Sequence, residues 1–274
     1  MNATVTDAPA IAAVLNYVVD TGEKIVNETM GPGDMSRRHT GVMDPRKMTV
    51  RNGRLLRDTF DLEVHGFEFV DHPTRMKSFF DADELKAVYY KEAEELVKAR
   101  TGAKRVHVFD HTLRSGDEDF RTANKVREPV TRVHNDYTEW SGPQRVRDLL
   151  PDDAQDLLTR RFAIVQVWRA IRNPIESHPL GICDARTLSP KDLVISERRY
   201  PDRVGQTYQI AWNPAHEWYY FPHMARDEAL VFKVFDSATD GRARFTAHSA
   251  FVDPTSPPDA AARESIEMRT LAFF

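Results

Sequence analysis

The stretch DADELKAVYYKEAEELVKARTGAKRVHVFDHT (Asp81–Thr112) carries two different periods. Leu85, Val88, Tyr89, Ala93, Leu96 and Val97 fall on one face at helical spacing, so a helix is expected there. Asp81 and Glu84 stand at capping-box spacing, and Gly102 supplies a stop. An apolar stripe of this kind packs a helix on a sheet. From Arg105 the pattern changes to that of a short strand, RVHVFDHT.

Downstream the strand pattern persists. PVTRVHND (129–136), RFAIVQVWRA (161–170), LGICD (180–184), TYQIAW (207–212) and EWYYF (217–221) read as strands. So do ALVFKVF (229–235), RFTAHSAFV (244–252) and SIEMRTLAF (265–273). Most are rich in β-branched and aromatic residues and are bounded by Pro, Asp or Gly. One polar segment, GPQRVRDLLPDDAQDLLTRR (142–161), interrupts them as a helix. Many short strands after one long helix do not make a βαβ succession. They point to a mostly β antiparallel sandwich or barrel with flanking helices packed on one side.

Upstream, residues 1–75 are less regular. TMGPGDMSRRHTGVMDPRKMTVRNGR (29–54) mixes Gly, Pro and charge without clear period, and reads as an extended arm or loop with short strands. LEVHGFEFV (62–70) has strand character. The expectation is one domain over 1–274, with an irregular arm over 1–75 and a helix plus β core over 76–274. The arm is a candidate cover for the core or a subunit contact, which makes a homodimer the expected oligomer.

Composition bounds the function. Hydrophobic residues make up 41% and charged residues 29%, ordinary for a soluble globular chain. The formal net charge of −4 gives no global field for nucleic acid or anionic membrane. One cysteine, Cys183, cannot form an internal disulfide, so a reducing cytoplasm is the expected location. The N-terminus lacks a basic leader region, and its apolar part is short and interrupted, unlike a signal peptide or a membrane span.

The chemistry-bearing motif is His134-Asn135-Asp136. Ten histidines and 42 acidic residues among 274 make one or two such His-x-acid pairs expected by chance, and one occurs. By itself the motif is weak. On a strand, however, residues i and i+2 share a face and can hold one metal from one side. Two histidines and a carboxylate with three open positions suit ferrous iron and its oxygen chemistry. Four later histidines are candidates for the third ligand. His178 lies beside a proline in a turn and is the weakest; His216 and His223 flank EWYYFP; His248 sits on the penultimate strand pattern. Beyond His248 stand Arg263, Ser265 and Arg269, and a guanidinium fork matches the far carboxylate of a 2-oxo diacid. His223 has Lys233 ten residues on, and His216 has Arg226 in a polar turn. His248 is preferred, with His216 and His223 as rivals.

Several segments together, LEVHGFEFV, YYKEAEELVKARTGAKRVHVFDHTLR, VHNDYT, VWRAI, HPLGICDARTL, HEWYYFPHMARDEALVFKVFDS and HSAFVDPTSPPDAAARESIEMR, are similar to a known family. From about Leu62 to Phe274 the chain resembles the Fe(II)- and 2-oxoglutarate-dependent hydroxylase/desaturase group of microbial natural-product biosynthesis. That group includes a cephamycin methoxylation component and fungal meroterpenoid oxygenases. The resemblance implies a double-stranded β-helix, or jelly roll. It places the metal ligands on His134, Asp136 and His248 and the co-substrate carboxylate on Arg263, with Ser265 or Arg269 assisting. His216 also looks characteristic of the family and stays as a rival ligand or supporting residue.

The activity so implied is hydroxylation or desaturation of a small organic substrate, coupled to oxidative decarboxylation of 2-oxoglutarate by dioxygen at Fe(II). Trp140, Trp168, Arg169, Trp218, Tyr219 and Tyr220 are candidate pocket residues, though core packing explains each equally well. The polar segment after Trp140 is a candidate lid. Two other classes stand beside this reading. In a zinc hydrolase the same ligands would hold a nucleophilic water, with no need for a buried arginine. In a non-catalytic jelly-roll binding protein the His-x-Asp pair would be incidental.

Overall fold

The computed structural model describes residues 8–29, 37–172, 174–199 and 204–274. In chain order the N-terminal part holds β1 (Ala10–Val18), β2 (Ile25–Thr29), β3 (Arg37–His39), β4 (Met43–Asn52) and β5 (Phe67–Asp71). The expected helix follows as α1 (Ala82–Glu84), a π-helical turn (Leu85–Tyr89) and α2 (Tyr90–Thr101). Next come β6 (Arg105–Ser115), α3 (Glu118–Asn124), β7 (His134–Asn135), α4 (Ser141–Leu149) and α5 (Ala154–Leu157). The C-terminal half is β8 (Phe162–Ala170), β9 (Leu180–Cys183), β10 (Leu193–Arg199), β11 (Val204–Ile210), β12 (Trp218–Tyr220), β13 (Glu228–Asp236), β14 (His248–Ala250) and β15 (Glu264–Phe273).

The helix begins and ends where its signals stand. The Asp81 carboxylate accepts from the N–H groups of Asp83 and Glu84, and Gly102 closes the helix at φ +73°. Glu84 does not complete the capping box; it accepts from the N–H groups of Lys77 and Ser78 instead. The polar segment after Trp140 is indeed helical but splits into α4 and α5 around Pro151, whose ring cannot continue a helix.

The strands form two sheets. One has the order β1-β4-β12-β9-β14-β7-β11-β10-β2-β3, the other β5-β13-β8-β15-β6. Pairing is antiparallel except for β10 with β2 and β12 with β4. The smaller sheet is buried on both faces. From β8, Ile164, Trp168 and Ala170 face the larger sheet, while Ala163, Val165 and Val167 face α2. That explains why RFAIVQVWRA is a continuous apolar run rather than an alternating one.

The first 75 residues differ from the irregular arm expected. β1 pairs with β4 over nine residue pairs, and β4 continues the large sheet through β12. β1 alternates from Ala10 to Tyr17, with Ile11, Ala13, Leu15 and Tyr17 buried. Residues 30–36, inside the segment read as an arm, lie outside the described residues. One glycine fixes the approach of β5 to the site: Gly66 has φ +84°, and a Cβ there would stand 2.3 Å from Thr246 Oγ1.

Candidate active site

β7 and β14 are short, and they are adjacent. His134 is paired opposite His248, so the two imidazoles project from neighbouring strands, with ring centroids 4.3 Å apart. Asp136 follows one residue after β7. The ligand atoms of His134, Asp136 and His248 all lie within 4.8 Å of one another, and no other such group of three occurs among the described residues.

Both imidazoles are oriented by backbone carbonyls. His134 Nδ1 lies 2.8 Å from the Arg132 carbonyl, and His248 Nδ1 lies 3.1 Å from that of Thr246. A carbonyl oxygen can only accept, so in each ring Nδ1 carries the hydrogen and Nε2 presents a lone pair. His248 Nε2 is buried and has no hydrogen-bond partner. Burial, with the neighbouring His248, pushes His134 down to about 3, so its ring is neutral and able to ligate.

The carboxylate of Asp136 is divided between two tasks. Oδ2 accepts from Gln166 Nε2 at 2.6 Å and from Arg269 Nε at 3.4 Å. Oδ1 faces His134 Nε2 at 3.6 Å. Burial works to raise this carboxyl. The Arg269 guanidinium, the two imidazoles and the Gln166 N–H outweigh it and hold the group well below the usual carboxylate range. The donor set therefore consists of two imidazole nitrogens and one anionic oxygen, converging from one side. An orphaned buried Nε2 among them fits a divalent cation of borderline hardness.

Arg263 lies just before β15 and is buried. Its Nε donates to Ser265 Oγ at 3.0 Å and its Nη1 to the His178 carbonyl at 2.8 Å, over the Trp168 ring. It has no ion-pair partner among the described residues. Burial and the Arg114 charge push it down to about 9, so it stays cationic at neutral pH. A buried guanidinium held by neutral oxygens is a receptor for an anion.

Arg269, grouped with it from the sequence, is differently employed. It pairs with Asp136, Asp110 at 3.0 Å and Glu267, and donates to Thr112 Oγ1. These acids outweigh its burial and raise it above the ordinary arginine value. Its guanidinium is occupied by carboxylates of the chain and is not open to a co-substrate.

The rival histidines are elsewhere. His216 stacks on Tyr17 and bonds Asp192 at 3.1 Å, in a network that Trp218 Nε1 and Asn213 complete. His223 and His178 occupy turns at φ +48° and +47°. Lys233 bonds Glu63 and Asp236. Of the candidate pocket aromatics, Trp140 lines the cavity beside Asp136, together with Ser141, Gln144 and Arg145 of α4. Trp168 lies under Arg263, Arg169 binds His72, and Trp218 and Tyr220 belong to a separate core cluster.

Two site residues escaped the sequence reading. Gln166 stands on the site face of β8, and its signal was a lone amide within an apolar strand. Arg114, near the end of β6, lies close enough to depress Arg263.

Facing sheets with a His-x-Asp and a later histidine between them define a jelly-roll protein with a candidate metal site. Residues 15–273 match the family described as YDMC: Oxidoreductase/YMDC permease-like domain. The chain is 32% identical to the hydroxylase/desaturase efuI of Hormonema carpetanum over 97% of its length and 96% of that protein. It is 33% identical to the Fe(II)/2-oxoglutarate-dependent dioxygenase nvfI of Aspergillus novofumigatus, over 84% of each. A solved variant of the iron and alpha-ketoglutarate-dependent endoperoxidase NvfI superposes with a TM-score of 0.87 at 28% identity, covering 99% of both chains. The chain belongs to this family, and its class is that of the Fe(II)/2-oxoglutarate-dependent oxygenases, as the resemblance in its sequence implied.

Proposed function

We propose that His134, Asp136 and His248 hold Fe(II) and that Arg263, fixed by Ser265 and the His178 carbonyl, receives the far carboxylate of 2-oxoglutarate. The substrate is a small organic molecule of secondary metabolism that the enzyme hydroxylates or desaturates. The observation that carries this is the donor set itself: two Nε2 lone pairs and one carboxylate oxygen converge while every other polar atom of the three side chains is already used.

When bound, the metal supplies the activation of dioxygen and of the 2-oxo acid. The chain's residues supply placement. The two backbone carbonyls lock the imidazole tautomers, and Gln166 with Arg269 leaves Asp136 one free oxygen. Arg263 would hold the far carboxylate of the co-substrate and so help orient it. Trp140 and the first turns of α4 form one wall of the cavity beside Asp136.

No helix among the described residues is long and apolar enough to cross a membrane. The test is anaerobic reconstitution with Fe(II) and 2-oxoglutarate, followed for the weak metal-to-ligand charge-transfer band in the visible. A band that needs both components is expected; folded protein that gives none would refute the reading.

A further inference from the structure

The cavity beside Asp136 encloses about 420 Å³, toward the small end for ligand sites. α4 forms one wall through Trp140, Gln144, Arg145 and Asp148, which share a face at helical spacing. The ends of β10 and β11 form the opposite wall, where Arg198 is paired with Gly205 across the ladder.

The charge of this lining differs from that of the protein. Four arginines, 127, 145, 198 and 269, face three aspartates, 110, 136 and 148, on a chain of net charge −4. All three aspartates are engaged. Arg269 binds Asp110 and Asp136, and Asp148 accepts from Gln144 Nε2 at 2.7 Å. Arg145 and Arg198 have no ion-pair partner among the described residues. Arg145 stands over the Phe109 ring. Arg198 is exposed at the rim. Trp140 is 48% exposed on the same cavity, an unusual degree for so large an apolar side chain.

We propose that Arg145 and Arg198 select an acidic substrate, a carboxylate on a flat apolar ring system that lies against Trp140 with its far side toward Asp136. This rests on the oxygenase reading and names the substrate class of that site. Arg145 and Arg198 supply guanidinium charge that no acid of the lining takes up, which suits a carboxylate. A guanidinium pairs with a carboxylate through two parallel bonds, and Trp140 offers a face for stacking.

The test uses two probes of equal shape, 2-naphthoate and 2-naphthamide. Their binding is measured by calorimetry on the protein loaded anaerobically with Fe(II) and saturating 2-oxoglutarate, and again on metal-free protein. The carboxylate is expected to bind about tenfold tighter or better, the contribution of one charge-assisted pair. Arg145→Gln and Arg198→Gln should each reduce that preference and leave the amide unchanged. Trp140→Ala should weaken both probes alike. Equal affinity for the two probes overturns the proposal. So does binding of neither, a preference that survives both arginine substitutions, or displacement of naphthoate by 2-oxoglutarate. The charge-transfer band is recorded on every variant. If wild-type protein prefers naphthoate yet gives no band, the oxygenase reading fails and the acid-binding cavity stands.

Discussion

Replacing Gln166 with leucine separates metal affinity from folding. The Gln166 amide donates to Asp136 Oδ2 at 2.6 Å, while its Oε1 is buried without a partner. A hydrogen bond to a charged group contributes about 1.5–3 kcal/mol, and an unsatisfied buried acceptor costs about 1–3 kcal/mol. In metal-free protein the two changes oppose each other, so the free energy of unfolding should stay within about 1 kcal/mol of wild type. In the metal complex the lost bond leaves Asp136 less well oriented. Iron affinity should then fall about 10- to 100-fold, the usual consequence of removing a residue that supports a ligand. Anaerobic Fe(II) titration and urea unfolding of the metal-free form measure the two quantities separately. Unchanged iron affinity would refute the reasoning. An affinity loss matched by an equal loss of stability would also refute it, since Gln166 would then be only a packing residue.

Arg263→Met should raise the 2-oxoglutarate concentration needed for the charge-transfer band about tenfold or more and leave iron affinity unaltered. Arg263→Lys should recover only part, because it keeps the charge and loses the fork. Metal-free protein should lose stability on acidification. The unfolded chain protonates His134 near its ordinary 6.5, while the native ring resists until about 3. This contribution is therefore full above pH 6.5 and declines steadily as pH falls toward 3. His72 and His216, also lowered by burial, act with the same sign. Urea unfolding at several pH values checks it, with a shallower slope expected for His134→Gln; stability that rises on acidification would contradict it. Cys183 is buried and its thiol is pushed up to about 12, so alkylation at neutral pH should proceed only as fast as the protein unfolds.

Much of the fold was legible where a side-chain period was long enough to read. The helix from Asp81 to Gly102 and the strands β6, β8, β13 and β15 carry such periods and their stop signals. β1 was missed although it alternates, because its outward positions are also apolar: Val14 is 52% exposed. β4 hides its period under charge, with Met43–Asn52 supported by ladder pairing on both sides rather than by burial. β7 and β14 are two and three residues long, within segments that looked like full strands.

The site was legible in part for a similar reason. His134 and Asp136 are local and share a face, so spacing alone suggested them. His248 was one of four candidates, since only tertiary pairing puts it opposite His134. Arg263 and Ser265 lie two apart and do meet, as same-face neighbours should. Arg269 lies on that face too, but its acidic neighbours Asp110 and Glu267 come from a cross-strand contact and its own strand, and they capture it. A sequence shows which residues share a face; it does not show which charges have already found each other.

Iron content per folded chain, measured after anaerobic loading and desalting, tests the central assignment most directly. Alanine at position 134, 136 or 248 should each leave almost no iron, whereas His216→Ala and His223→Ala should retain the wild-type amount. Iron retained by His248→Ala, or lost from His216→Ala in chains that are still folded, would contradict it.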